Sequence, residues 1–517
     1  MLFPRPIENS LDKEETFVLK NGFYNALGGI VRMLISILVI PFLIRIIGLQ
    51  EYGVWVLASA VLGFVQLVEA GLSISTTVFV SQNLRENNSI ALSQTLTVVV
   101  GGMFVLATFA ATVLYFGSPI IANLLPRLEP AERYAILLAL QVGSLVIWFQ
   151  LMQRVFVGVE QAHQRYGIIN LLVGLEAILT NVGLLIVAWI GGRTVAFMKW
   201  YAVAGLIMLL LHTIFVWWLL RYQKVRPHWN YRRARDVARY SGLTWISTLS
   251  GALFTQFDRV IVGAILGPTI LGVYAVITTV AKKINFVSVL PIQPLLPTLS
   301  KMYSDETPDR QPMIVLVKKA LQLNVVVSLG AGISVFMFAN IIMQIMISDV
   351  IPEGAVWGLR IAAIIYALYT LNAVGYFTLM STKAAHICAA IQISGALLSL
   401  LLIAIGSRYY GLMGAVIGNV GNLVTWLMVV WGMKRVGIVN QSWIRWIIFP
   451  LVWFSTVIFV GILTVDRVII QAVVALVGDF ILLGWLINTQ QINLLAYISK
   501  LSQGLKNIFL PKPTHVN

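Results

Sequence analysis

Ile46-Ile-Gly-Leu-Gln-Glu-Tyr-Gly-Val-Trp55 returns 219 residues later as Ile265-Leu-Gly-Pro-Thr-Ile-Leu-Gly-Val-Tyr274. In both copies a glycine separates two apolar runs, and a second glycine sits in the first turn or two of the run that follows. The same offset, without a gap, lays Ser81 on Ser300 and Gly192 on Gly411. A constant register over so long a stretch marks a duplicated unit rather than chance matches.

Each unit holds six apolar runs. An even number starts both copies on the same side of a bilayer, so the expected relation is a parallel pseudo-two-fold along the membrane normal. Of the 517 residues, 59% are hydrophobic and only 11% are charged. A soluble chain of this size cannot bury that much apolar surface, whereas hydrocarbon accepts it. One helix needs roughly 20 apolar residues to cross the bilayer core. Fourteen spans are predicted, over 20–47, 53–80, 92–116, 134–158, 168–190, 195–220, 241–265, 273–299, 314–338, 355–380, 385–406, 411–433, 446–465 and 468–488. The fold class is thus all-α and polytopic: two six-helix lobes (20–220 and 241–433) joined by a basic linker (221–240), with two extra C-terminal helices (446–488). The polar segments 1–19 and 489–517 flank them. The connections leave no room for a folded domain outside the membrane.

The net charge of +16 is read as topology, not as affinity for nucleic acid. With the N-terminus cytoplasmic, only Arg45, Arg127, Arg133, Arg193, Lys199, Arg408 and Arg467 fall on the far side. Both termini are therefore expected in the cytoplasm. The first residues lack the apolar core of a cleavable signal, and the single cysteine, Cys388, precludes an internal disulfide.

No constellation for catalysis, metal or cofactor is present. The five histidines are scattered, and no glycine-rich phosphate loop ends in Lys-Ser/Thr. No catalytic residue, cofactor or metal is expected. The informative residues are charges inside the spans, each costing about 2.5–3.5 kcal/mol at a helix centre, so that those retained face a cavity or a partner. They are the bases Arg32, Arg259, Lys282 and Lys283 and the acids Glu69, Glu176, Asp258 and Asp479. The bases predict a cationic cavity wall for an anionic head group; interhelix pairs with an acid such as Glu69 are the alternative. Asp258 and Arg259 are neighbours about 100° apart on a helix and need not pair. Glu69, Glu176 and Asp258 are candidate coupling or ion-pair acids. Lys318, Lys319 and Arg360 lie near span ends, where snorkelling is expected. Pro291, Pro294 and Pro297, at spacing three, predict a break or hinge in the eighth span. Gly263-x-x-x-Gly267 and Gly414-x-x-x-Gly418 predict close helix packing.

Pro41-x-x-x-Arg45-x-x-Gly48-x-x-x-Tyr52-Gly53, Gly71-Leu72 before Ser73–Thr77, Asp258-Arg259 with Leu266-Gly267, Leu296-Pro297-x-Leu299-Ser300 and Tyr410-Gly411-x-x-Gly414-Ala415 form a loose profile over residues 20–490. In these the chain resembles the polysaccharide transporter family of the multidrug/oligosaccharidyl-lipid/polysaccharide superfamily, in particular the O-antigen-type flippases. The resemblance implies two lobes in a V around a central cavity and alternating access. It also implies an undecaprenyl-diphosphate-linked oligosaccharide as cargo, the bacterial inner membrane as location, and polysaccharide polymerase and chain-length proteins as partners. It places Arg32, Arg259, Lys282 and Lys283 in the cavity by helix, not by strict motif. Its rivals are a lipid II flippase, a cation-coupled multidrug exporter using Glu69 and Glu176, a membrane scaffold, and a membrane polymerase, which would carry a large outer loop.

Overall fold

The structure is a computed structural model that describes residues 29, 33–69, 71–223, 225–252, 254–304, 310–347, 351–438, 441–465 and 467–490. Among them every regular element is helical. The N-terminal lobe contains α1 (Met33–Ile47), α2 (Leu49–Arg85), α3 (Ser89–Asn123), α4 (Pro130–Ala162), α5 (Tyr166–Trp189) and α6 (Thr194–Leu220). The C-terminal lobe contains α7 (Tyr231–Ala252 and Phe254–Leu266), α8 (Pro268–Val289), α9 (Gln311–Met337), α10 (Ala355–Ser381), α11 (385–410) and α12 (412–435). The last pair is α13 (Ile448–Leu463) and α14 (Val468–Gln490).

Ten helices satisfy length and hydropathy for a membrane span among the described residues. One of them, Ala385–Arg435, is two, because it reverses at Gly411 (φ 57°, ψ −137°). Across that reversal Gly406 meets Gly414, Ile403 meets Gly418 and Ser399 meets Gly421, the signature of an antiparallel hairpin. The shorter apolar helices α1 and α13, together with α7, complete the fourteen. Helix α7 was expected at 241–265 but starts ten residues earlier. The arginine-rich half of the linker winds as an amphipathic helix whose exposed face takes the charge.

Local sequence sets the ends. Asn88 caps α3, accepting from the Ala91 amide at 2.9 Å. Pro130 opens α4 behind a Glu129/Glu132 capping box. The repeat is visible in the backbone itself. Gly48 (φ 83°, ψ 161°) and Gly267 (φ 85°, ψ 174°) divide α1 from α2 and α7 from α8, in a region open essentially to glycine alone. Gln164 (φ 56°) and Lys383 (φ 57°), also 219 apart, turn α4 into α5 and α10 into α11.

The lobes meet through a reciprocal contact at the Gly48 end. A Cβ on Gly53 of α2 would overlap the Pro268 carbonyl oxygen, at the first turn of α8; a Cβ on Gly272 of α8 would lie 2.8 Å from the Leu49 carbonyl oxygen, at the first turn of α2. Beyond this crossing the helices diverge: Leu72–Arg85 packs on α4, and the continuation of α8, Leu295–Ser304, packs on α10 and α9. The lobes are also bridged away from the Gly48 end, where Tyr231–Ala252 of α7 packs on Leu72–Arg85 and on α3, with Ser241 Oγ 2.7 Å from Ser75 Oγ and Trp245 donating to the Leu67 carbonyl at 2.8 Å. Helix α8 does break where the prolines stand, through the 3-10 turn Leu290–Ile292, while Pro297 falls in the first turn of the continuation, where its missing N–H costs nothing. Helices α13 and α14 pack on α9, and Ser334 donates to the Asp479 carboxylate of α14 at 3.0 Å.

Gly53→Ala should lower the thermal midpoint, with a cost of about 1–3 kcal/mol for overpacking. Gly101→Ala, with nothing within 4 Å of the new methyl, should leave the midpoint unchanged or raised. Equal behaviour of the two variants in a detergent melt would remove the crossing as a constraint.

A pair of repeat-related cavities as the candidate functional site

Each lobe is hollow at the same place. The N-lobe cavity, about 530 Å³, is lined by Met33 and Ser36 of α1, Gln150 of α4, Glu176 and Asn181 of α5 and Tyr201 of α6, and is roofed from the other lobe by Lys283 and Phe286 of α8. The C-lobe cavity, about 280 Å³, is lined by Asp258, Lys282, Asn285, Tyr366, Tyr369, Gln392, Asn419, Asn422 and their neighbours. Five lining positions coincide under the 219-residue offset: Gln150 with Tyr369, Val173 with Gln392, Ala177 with Ala396, Thr180 with Ser399 and Asn181 with Leu400. The duplication therefore made two cavities, and divergence made them chemically different.

Helix periodicity explains which residues line the C-lobe cavity. Lys282 and Asn285 on α8, and Tyr366 and Tyr369 on α10, are three apart and share a face. On α12 residues Asn419–Trp426 wind as a 3-10 helix. With three residues per turn, that winding stacks Asn419, Asn422 and Thr425 in one column facing the cavity.

The predicted cations separate. Lys282 Nζ lies 3.4 Å from Asp258 Oδ2, forming an interhelix ion pair between α8 and α7. Tyr274 donates to the same oxygen at 3.2 Å and the Arg259 amide to Oδ1 at 2.9 Å. Lys282 is thus part of a neutral pair, and its partner is Asp258 rather than Glu69. Lys283, the next residue, points about 100° away into the N-lobe cavity, where Nζ donates to Ser36 Oγ at 3.4 Å. The Arg259 guanidinium donates to Thr279 at 3.2 Å, and its charge is felt by both lysines. Among the described residues neither Lys283 nor Arg259 has a carboxylate within 4 Å. Arg32 lies outside the described residues.

Among the acids, Glu176 lines the N-lobe cavity and accepts from Gln153 at 3.5 Å. Glu69 sits in a 3-10 turn of α2, beside Ser73 and within electrostatic reach of Arg154, and lines neither cavity. Pro291 and Pro294 face a smaller space against α9, away from both cavities. Arg360 is not a snorkelling residue: it is 1% exposed, with its guanidinium 4.9 Å from the Trp357 ring and 5.7 Å from that of Phe336. Delocalised charge stacked on aromatic faces is tolerated where an ammonium would not be.

Two features had no counterpart among the charges singled out in the sequence. The amides and tyrosines of the C-lobe cavity are polar groups inside apolar spans, and Asn419-Val-Gly-Asn422 was the available signal, since an amide in hydrocarbon must find a partner. The other is His212, whose Nδ1 lies 2.7 Å from Glu160 Oε1, both side chains wholly buried. These two residues are distant in sequence, and only the packing of α6 on α4 unites them.

Residues 18–303 match the family described as polysaccharide biosynthesis protein. The chain belongs to that family. The matched part of this polysaccharide biosynthesis protein runs through the N-lobe, the linker and α7 to the end of α8, and so includes Asp258, Arg259, Lys282 and Lys283. A "Putative O-antigen transporter" of Shigella flexneri is 21% identical over 408 residues, covering 77% of this chain and 93% of that protein. Among solved structures, the lipid II flippase MurJ in an inward closed conformation superposes with a TM-score of 0.70 at 11% identity, over 91% of this chain and 100% of that one. An inward-facing multidrug resistance MATE transporter of the MOP superfamily gives 0.64 at 14% identity, over 80% and 96%. These two likenesses show the fold: a multi-pass, two-lobed helical architecture.

The ion pair between α7 and α8 should behave as a coupled unit. Asp258→Asn and Lys282→Met are each expected to destabilise by about 1–3 kcal/mol, because each strands a charge in a low-dielectric site. The double variant should cost less than the sum of the two in denaturant unfolding in micelles; strict additivity would dissolve the pair.

Proposed function

We propose that this protein carries polyprenyl-diphosphate-linked oligosaccharide units, in the form of undecaprenyl lipids, from the inner to the outer leaflet of a bacterial cytoplasmic membrane. The observation that carries the reading is the N-lobe cavity with Lys283 of the other lobe in its wall and Arg259 nearby, neither engaged by a carboxylate among the described residues, in a member of the polysaccharide biosynthesis family. A low-dielectric cleft with unpaired cations attracts a diphosphate more strongly than bulk water does.

Orientation follows from the basic linker. Arg221, Arg226, Arg232, Arg233, Arg235 and Arg239 gather at the end opposite Gly48, which on charge bias is the cytoplasmic one. Both termini then lie in the cytoplasm, and the crossing of Gly53 with Pro268 closes the outer end. A lipid-linked head group enters from the inner leaflet with its sugar hydroxyls kept wet, because hydrocarbon offers them no partner. The polyprenyl chain stays in the bilayer throughout. Movement outward of an anion across an inside-negative membrane is favoured by about 2.3 kcal/mol per net charge per 100 mV. Opening of the outer end requires α2 and α8 to separate at their glycine crossing, with the Pro291–Pro294 break as the bend that allows it. The released unit would then meet the polymerase and chain-length proteins on the far face.

Glu176 opposite Lys283 keeps one other reading in view, a cation-coupled exporter, in which the acid would serve the ion. In cells lacking the native gene, Lys283→Ala and Arg259→Ala are expected to cut surface polysaccharide about tenfold or more, while Glu176→Gln retains export. Full export by both base variants would defeat the anionic cargo; loss in the Glu176 variant alone would favour the exporter.

A further inference from the structure

Helix α8 separates the two cavities, since Lys282 and Asn285 line one and Lys283 and Phe286 the other. The C-lobe cavity has no net charge to offer: Asp258 and Lys282 neutralise one another, and the Asp258 carboxylate is further occupied by Tyr274 and by the Arg259 amide. An ion of either sign would meet a fixed charge like its own. A neutral, hydrogen-bonding guest meets no such penalty.

The remaining wall is built for hydroxyl groups. Asn285 commits Nδ2 to Thr370 at 2.6 Å and Asn422 commits Nδ2 to Ser399 at 3.0 Å, and among the described residues neither Oδ1 has a hydrogen-bond partner. Gln392 is partly exposed and lines the cavity, and neither end of its amide has a hydrogen-bond partner among the described residues. Such amides set a donor beside an acceptor, the pattern that adjacent hydroxyls of a sugar ring satisfy. Tyr366 and Tyr369, with ring centroids 6.0 Å apart, add aromatic faces for the apolar C–H side of the same ring. The groups are held in place beforehand: Tyr366 donates to Asn419 at 3.2 Å, Asn419 to Tyr274 at 3.2 Å, and Asn372 to Thr425 at 2.7 Å. A volume of about 280 Å³ lies at the small end of ligand sites, which run about 300–1,000 Å³. It fits one ring, not a chain of them.

We propose that the C-lobe cavity is a recognition subsite for a single uncharged pyranose, the unit next to the diphosphate. The two sites lie on adjoining faces of α8, because Lys282 and Lys283 are consecutive and about 100° apart. The lipid-linked identity of that sugar rests on the function proposed above; the neutrality and ring size rest on the cavity alone. Discrimination among surface polysaccharides then resides in Asn285, Gln392 and Asn422, while Lys283 and Arg259 act on the diphosphate that every such lipid shares.

The test uses the full-length protein in nanodiscs and measures binding of undecaprenyl diphosphate, bare or carrying one glucose, galactose or N-acetylglucosamine. At least one glycosylated lipid should bind about tenfold more tightly than the bare lipid. The Gln392→Ala/Asn422→Ala variant should abolish that preference and leave affinity for the bare lipid within about twofold. Ala396→Leu, which fills the same cavity from α11, should do likewise should the double variant fold poorly. Lys283→Ala should weaken all four lipids together. A wild type that binds the bare lipid with no gain from any sugar sinks the subsite and leaves the carrier function standing. A wild type that binds none of the lipids sinks the carrier reading and the lipid-linked subsite with it. Free monosaccharide binding as tightly as its lipid-linked form would also overturn the proposal, as would sodium binding that Asn422→Ala abolishes while sugar preference persists.

Discussion

Two helix starts seated in two glycine notches hold the lobes together. Gly53 receives the first turn of α8 and Gly272 receives the first turn of α2, so one contact is made twice about the pseudo-two-fold. Lipid chains are as apolar as leucine, and helices in a bilayer therefore gain little from burying apolar surface on one another; close backbone approach is what remains. The contact is available only where both partners lack a Cβ at the crossing. Because it sits at one end, the second halves of α2 and α8 take different neighbours, Leu72–Arg85 packing on α4 and Leu295–Ser304 on α10 and α9.

The second constraint is that every polar group placed in hydrocarbon must be satisfied or face water. The molecule meets it in four ways. Asp258 and Lys282 neutralise one another with help from Tyr274, Glu160 and His212 close a buried pair, and Arg360 lies over two aromatic rings. Hydroxyls turn back on their own helices, as Thr76 does to the Leu72 carbonyl. Other polar side chains gather at the cavities: Lys283 and Glu176 line one, and the amides line the other.

Duplication supplied two copies of a hollow, and the copies then specialised. Positions 150, 173, 177, 180 and 181 recur as 369, 392, 396, 399 and 400, yet glutamine became tyrosine, and valine became glutamine. The N-lobe cavity borrows Lys283 from the opposite lobe, so its composition depends on how the lobes stand. The C-lobe cavity is lined by its own lobe alone, which suits recognition that must persist while the lobes move.

Much of the fold was legible in the chain: span count, repeat offset, proline break and family all followed from apolar length, glycine placement and local motif, because membrane helices satisfy their backbones within themselves. The site was legible only in part. Charges in the spans singled out Asp258, Lys282, Lys283 and Glu176, but not that Lys282 would meet a carboxylate while its neighbour met only the Ser36 hydroxyl among the described residues, a difference set by about 100° of helix rotation and by what α7 and α1 present on either side. Nor could the chain show that Glu69 would turn towards Arg154, that Glu160 and His212 would meet, or that a 3-10 winding would stack Asn419, Asn422 and Thr425. The sequence by itself determined that the protein lives in a bilayer as two similar lobes. Tertiary structure alone decided which polar groups meet, because side chains distant in sequence are paired by helix rotation and packing, and these depend on all neighbours at once.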